Sequence, residues 1–286
     1  MKIKESRALS FIAVAVVYIL ATVAGVAVYL SLDLPVWLSL LIADIVSTAL
    51  TFIFSLIFSN ASVYDPYWSV QPIVIGVAFA IKYSLNALGI IALVAVCFWG
   101  VRLTANWAYT FKNLTHQDWR YTMLKEKTKN AYPLVNFLGI HLFPTLVVYL
   151  CVMPAVQVIT APVTLNIGYF IFLAVSLLAV VLQTVSDIQM QAFRKNRTTP
   201  FIRVGLWKHS RHPNYLGEIL MWWGVALSAV CVLKIWYLIT GAVVNTVMFL
   251  VVSIPMADKR QSRKDGYDEY KRQTRILLPI KKFTKK

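Results

Sequence analysis

Eight stretches of this chain are so continuously apolar that they have almost no option but to become helices packed in lipid. The runs lie near 8–30, 35–58, 70–83, 86–107, 134–158, 163–186, 214–233 and 235–256. A helix of about 20 apolar residues crosses the roughly 30 Å hydrocarbon layer. In that layer every backbone N–H and C=O must find a partner within the protein, so runs of this length are read as helices. The third run is short, and reads as a tilted span or a partly re-entrant one. With 59 % hydrophobic residues and a mean hydropathy of +0.67, the chain lies outside the range of soluble domains. The expected fold class is an all-α integral membrane protein, a polytopic bundle of seven or eight transmembrane helices forming one domain over 1–286.

Lys2, Lys4 and Arg7 precede the first run, but that run is too long for a signal-peptide core and is read as a retained span. The net charge of +16 is concentrated at the N-terminus, in 112–129 and 194–211, and in 259–286. By the positive-inside rule these segments face the cytoplasm. Eight spans put both basic termini on that side, which favours eight over seven. Basic residues in short juxtamembrane loops are explained by orientation and anionic lipid, so nucleic acid is not expected as a partner. Cys97, Cys151 and Cys231 each fall inside an apolar run and read as small core residues.

The chemistry is concentrated in residues 209–224, His-Ser-Arg-His-Pro-Asn-Tyr-Leu-Gly-Glu-Ile-Leu-Met-Trp-Trp-Gly. Pro213 marks a helix start. The free N–H groups of such a start, beside Arg211 and His212, suit a phosphate. Asn214 and Glu218 lie one turn apart, and an ionisable Glu entering hydrocarbon is expensive unless it has a role. The bland alternative is an interfacial anchor with a snorkelling Glu. Further polar and aromatic segments occur at 60–72, 115–121, 187–214 and in the tail around Tyr267, Tyr270 and Arg275, all on the predicted cytoplasmic face. Asp187 and Arg194 share a helix face. Asp44 and Arg102 read either as an internal polar network or as part of a site. Asp65 reads as a helix N-cap or as a poorly solvated, proton-donating acid. His209 and His212 lack the convergent ligands of a metal centre, and no metal is expected.

Arg211-His-Pro-Asn-Tyr-Leu-Gly-Glu218 followed by Trp222 resembles the C-terminal region of the steroid 5-alpha-reductase family. Ser186-Asp187 with Arg194, and Tyr267, Tyr270, Arg275 and Pro279, extend the match over about 180–280. The N-terminal half looks more like an uncharacterised bacterial branch of that family, which implies a multi-pass protein of a bacterial inner membrane with a cytoplasm-facing site. The resemblance implies NADPH within the helical bundle. Asn214 and Glu218 would meet the nicotinamide end. Asp187, Arg194 and Arg203 would hold ribose and phosphates, bordered by Arg211 and His212, with Tyr270 and Arg275 completing the set. It also implies reduction of a carbon–carbon double bond conjugated to a ketone on a lipophilic small molecule such as a 3-oxo-Δ4 steroid. The family's acid pair is a Glu and a Tyr. By spacing Asp65 stands at the Glu, while the Tyr position falls on Trp99, so Tyr67 is the substitute donor. The Arg-His-Pro-x-Tyr-x-Gly core is similar to isoprenylcysteine carboxyl methyltransferases as well, which use S-adenosylmethionine. That methyltransferase reading and a non-enzymatic sterol- or lipid-binding protein are the alternatives.

Overall fold

A computed structural model describes residues 2–83 and 86–279. The last part of the basic tail, 280–286, lies outside the described residues, as do 84 and 85. The described chain is all helix: α1 Arg7–Ser31, α2 Val36–Ile57, α3 Tyr67–Lys82, α4 Ala87–Thr110, α5 Trp119–Thr160, α6 Ile167–Lys195, α7 Pro213–Leu233, α8 Trp236–Gln261 and α9 Tyr267–Gln273. Seven of these, all but α3 and α9, are long and apolar enough to cross a membrane. The expected all-α polytopic membrane fold is therefore what the chain adopts. The third run is the exception. Its helix α3 has 16 residues and carries Pro72, and at 1.5 Å per residue it reaches only about 24 Å.

Local chemistry explains where the helices begin. Ser6 accepts from the Leu9 N–H ahead of α1, Asp118 from Arg120 N–H ahead of α5, and Asn166 from Gly168 N–H ahead of α6. Each satisfies a backbone donor that the helix leaves open. Pro213 is the first residue of α7, as the sequence predicts. Long rows of exposed Leu, Ile and Val, such as Ile12, Ile19, Val23 and Leu30 on α1, face outward. In water such a surface would aggregate; in lipid it is the expected exterior.

The helices group into two compact units. Unit 1 comprises Met1–Val74 and Leu103–Tyr149, and unit 2 comprises Ile75–Arg102 and Leu150–Lys286. In unit 1, Val14, Val17, Phe58, Val63, Phe111 and Leu114 form an apolar core. Gly25 of α1 lets α2 approach: a Cβ there would lie 2.3 Å from Ser47 Oγ, and that hydroxyl instead donates to Ala21 O at 2.8 Å. In unit 2, α6 and α7 pack by the same device. A Cβ on Gly217 or Gly224 would lie 2.8 Å from Ala179 O or 2.6 Å from Phe172 O. Ser176 Oγ bridges the pair by donating to Met221 O at 2.9 Å. Without a hydrophobic drive between helices in lipid, close backbone approach at small residues supplies much of the attraction. The cysteines Cys97, Cys151 and Cys231 are unpaired.

Candidate functional site

In unit 2 the start of α7 is laced to the tail. Arg211 N–H donates to Arg275 O at 3.0 Å and His212 N–H to Ile276 O at 3.2 Å, around a parallel bridge between Ser210 and Arg275. Arg211 is 6 % exposed. Its guanidinium donates to Asp258 at 2.8 Å and to Thr274 O at 2.8 Å. His212 Nε2 lies 3.1 Å from the other Asp258 oxygen, and Tyr267 donates to that oxygen at 2.7 Å. Arg211 and His212, expected to border phosphates, both face Asp258, while Arg211 Nε has no hydrogen-bond partner. A buried cation needs a fixed counter-charge, and Asp258 claims both side chains. The Tyr270 hydroxyl donates to Trp207 O, which pins the 205–208 turn. Burial first, and then the Asp258 carboxylate it serves, holds the Tyr267 phenol far above its ordinary pKa, so it remains a donor.

Three other expected arginines are differently placed. Arg194 is exposed at the end of α6. Arg203 is exposed, its guanidinium 5.8 Å from the Phe201 ring centroid. Arg275 keeps a buried Nε with no hydrogen-bond partner. Asp187 forms an ion pair with Arg102 of α4, and Arg102 also donates to Gln183 Oε1 at 2.7 Å. Asp187, which shares a helix face with Arg194, thus takes its ion-pair partner from Arg102, a residue distant in sequence.

One turn into α7, Glu218 is 5 % exposed. One carboxylate oxygen accepts from Trp222 Nε1 and the other from Trp99 Nε1, each at 2.9 Å. Trp99, which the resemblance placed at a catalytic Tyr, is here the second indole clamping Glu218. The two rings meet edge to face, 4.7 Å apart. Asn214, four residues before Glu218, has a buried Oδ1 with no partner, and Gln183 has a buried Nε2 with none. A buried polar atom left unpaired costs about 1–3 kcal/mol. Asn214 Oδ1 thus lacks a donor and Gln183 Nε2 lacks an acceptor.

In unit 1 the two expected catalytic residues belong to two separate tyrosine–aspartate pairs. Asp65 accepts from Tyr121 OH at 2.6 Å. Its side chain turns to Tyr121, and no hydrogen bond from it caps α3. Lost hydration raises the Asp65 pKa to about 6, against the opposing pull of Arg120 and the Tyr121 hydrogen bond. Tyr67 donates to Asp44 Oδ1 at 2.8 Å, and Gln71 Nε2 donates to Oδ2. Asp44 and Tyr67 are 5 % and 6 % exposed. The sequence grouped Asp44 with Arg102, but Arg102 pairs with Asp187 and Asp44 with Tyr67 and Gln71. The signal was present: Asp44, Ser47, Thr48, Thr51 and Ser55 lie on one buried face of α2, a polar stripe in a span that is otherwise apolar. Asp258, by contrast, stands in an unremarked basic stretch and carried no signal.

Residues 51–274 match the family model described as a protein of unknown function, DUF1295. The match covers well over half of the chain, so the chain belongs to this family. An uncharacterized protein of the yeast Schizosaccharomyces pombe is 27 % identical over 197 residues, covering 57 % of this chain and 56 % of its own length. The match thus spans little more than half of that relative. No solved structure matches the chain.

Proposed function

We propose that this DUF1295 protein is a membrane-embedded, NADPH-dependent reductase of the C=C bond of a lipid enone, of which a 3-oxo-Δ4 steroid is the model. The observation that carries the reading is the buried, unpartnered Asn214 Oδ1 one helix turn from the doubly clamped Glu218. Together they form a rigid polar end in an apolar helix, suited to a carboxamide. The motif resemblance over 180–280 supports the same reading.

NADPH, when bound, supplies the reducing equivalent that adds to the β carbon of the enone. The chain's own residues do the rest. Asn214 Oδ1, buried and without a partner, would hold the carboxamide of the cofactor. Glu218 keeps a second lone pair on each oxygen for the same group. Its two indole partners hold it in place, because an unclamped carboxylate would swing toward water. Arg194, Arg203 and Arg275 neutralise phosphate charge, a task to which the guanidinium fork is suited. Asp187 and Arg102 neutralise each other.

The acid that would receive the growing charge on the ketone oxygen is sought, as the resemblance implies, at Asp65 and Tyr67. Of the two pairs they form, Tyr67–Asp44 is the more deeply buried, and Tyr67 holds its proton on an oxygen aimed at a fixed acceptor. Tyr67 is taken as the donor, with Asp65 and Tyr121 as the second pair. A donor placed in a dry site contributes far more than in water. The substrate is apolar and enters from lipid. The proposed orientation puts the nucleotide-binding segments on the cytoplasmic side, where the basic loops are expected.

The reading is tested by supplying purified protein with NADPH and two panels, 3-oxo-Δ4 steroids and small water-soluble enones, and assaying products by mass spectrometry. A gain of two hydrogens in the steroid panel is expected. Reduction of only the small enones refutes the lipid substrate. Methyl transfer from S-adenosylmethionine, with no reduction, refutes the reductase.

A further inference from the structure

Within unit 1, α5 presents polar residues at 132, 136, 141, 145 and 149. The spacing is four, five, four, four. A five-residue step would rotate the stripe off its face in a regular α-helix. It is accommodated here because Asn136–Leu142 is wound as a wider π turn. Such turns are rare and occur often at functional positions.

The stripe faces α2 along the length of both helices. Tyr149 donates to Trp37 O, Thr145 and Thr48 share a hydrogen bond of 2.9 Å, the His141 ring meets Phe52, and Asn136 Nδ2 donates to Ser55 Oγ at 3.2 Å. Tyr64 OH shares a 2.8 Å hydrogen bond with the same Thr145 hydroxyl. Thr48 also neighbours Tyr67, which donates to Asp44. The result is a row of exchangeable groups, Tyr64, Thr145, Thr48, Tyr67 and Asp44, embedded in an apolar bundle; at rest the Thr145 hydroxyl donates to His141 O at 2.9 Å and must turn toward Thr48 to pass a proton.

Next to this run are two bare acceptors. His141 is fully buried. Its Nδ1 lies 3.0 Å from Asn136 O, so the proton belongs there and Nε2 is left as an acceptor with no partner. Asn136 is 2 % exposed, and its Oδ1 is also bare. Two buried acceptors with no donor between them are what an internal water, with two protons to give, satisfies. The His141 and Tyr64 rings are 4.7 Å apart. Ser55 is two residues from the end of α2, and its carbonyl accepts from Asn60 N–H in the loop beyond. This end of the seam therefore adjoins an interfacial loop, and Asp44 lies 11 residues deeper along α2, roughly 17 Å.

We infer that the α2–α5 seam is a proton-supply line for Tyr67, entered beside Asn136 and His141 through bound water and continued by Tyr64, Thr145 and Thr48. This rests on the proposed role of Tyr67. Each turnover breaks the Tyr67 O–H bond as its proton passes to substrate. Lipid cannot replace that proton. Thr48 hands one to Tyr67 Oη and takes one from Thr145, which takes one from Tyr64, which takes one from the water. One proton is drawn from solvent for each one given to substrate, and no group along the line changes oxidation state. Thr48, Thr145 and His141 are positioning residues that never touch substrate.

The test uses the full chain in lipid nanodiscs with Thr145→Val, His141→Gln and the conservative control Thr145→Ser. First turnover is compared with steady state by rapid quench. The line predicts that Thr145→Val and His141→Gln keep the first turnover but lower the steady-state rate by about tenfold or more, and that Thr145→Ser restores it. First turnover and steady state falling together, or neither falling, overturns the inference. A second readout needs no enzymatic activity. With tyrosine labelled at the ring carbon bearing the hydroxyl, NMR in mixed H₂O and D₂O reports exchange of the Tyr67 proton with solvent. Slower exchange in Thr145→Val and His141→Gln, at unchanged thermal stability, supports the line; equal exchange in all variants overturns it. Absence of any enone reduction in the wild type would refute the proposed reductase, and the exchange measurement would still decide the seam.

Discussion

Replacing Asp258 with Ala should destabilise unit 2 more than any other single loss of a carboxylate there. Asp258 neutralises Arg211 at 2.8 Å, lies 3.1 Å from His212 Nε2, and accepts from Tyr267 at 2.7 Å. The side chains of Arg211 and Asp258 are 5 % and 13 % exposed, so solvent screens the pair weakly. Truncating one partner of a buried pair leaves the other charge without compensation, at a cost of about 3–5 kcal/mol. For a chain of this size, roughly 2–4 °C of melting temperature is lost per kcal/mol. The expected fall is thus on the order of 6–20 °C. The assay is thermal unfolding of purified protein in one detergent, followed by tryptophan fluorescence. Asp258→Asn should lose less, since the amide oxygen still accepts from Tyr267. Glu269→Ala, which removes an exposed partner of Arg272, should change nothing measurable. A shift below about 2 °C for Asp258→Ala would mean that the lacing of α7 to the tail does not depend on Asp258.

Gly224→Ala should destabilise by about 1–3 kcal/mol, because its Cβ would lie 2.6 Å from the Phe172 carbonyl, and Gly139→Ala, where nothing lies within 4 Å, should not; parallel melting curves decide it. Asp65, whose pKa is raised from 3.8 to about 6, contributes stability that is full below about 3.8 and is lost as pH rises through about 6. Melting temperature measured from pH 4 to 7 should lose that component in Asp65→Asn, and an unchanged profile would show that Asp65 does not set it. Asn214→Ala should weaken NADPH about 3- to 10-fold, the effect of one hydrogen bond, as read by equilibrium titration. A single cysteine placed in 112–118 should react only with reagents on the cytoplasmic side, and labelling from the opposite side would reverse the proposed orientation.

The spans were legible because hydrocarbon enforces a length and composition that apolar runs display directly. Run 70–83 was harder: its composition resembled a span, but Pro72 and a start at Tyr67 give a helix too short to be counted with the others. The start of α7 could be read at Pro213, since proline fixes the dihedral and lacks the N–H the first turn does not need. Partners could not be read in the same way. Nothing local in Trp99, Arg102 or Asp258 says that they meet Glu218, Asp187 and Arg211, because those contacts depend on which helices adjoin. The α5 stripe was legible in principle, but its five-residue step breaks the 3.6 period and conceals it until the π turn is seen. The Arg211–Asp258 pair could not be read either, because a cation at a helix start looks alike whether it awaits a phosphate or already holds an aspartate.

Cofactor identity is the claim on which the account turns, and Trp99 and Trp222 make it measurable, since both indoles sit on Glu218. Purified protein should be titrated with NADPH, NADH and S-adenosylmethionine while tryptophan emission and thermal stability are recorded together. The account predicts quenching and stabilisation by NADPH, reduced in Asn214→Ala and Glu218→Gln, and none by S-adenosylmethionine. Stabilisation by S-adenosylmethionine with no response to NADPH would contradict it.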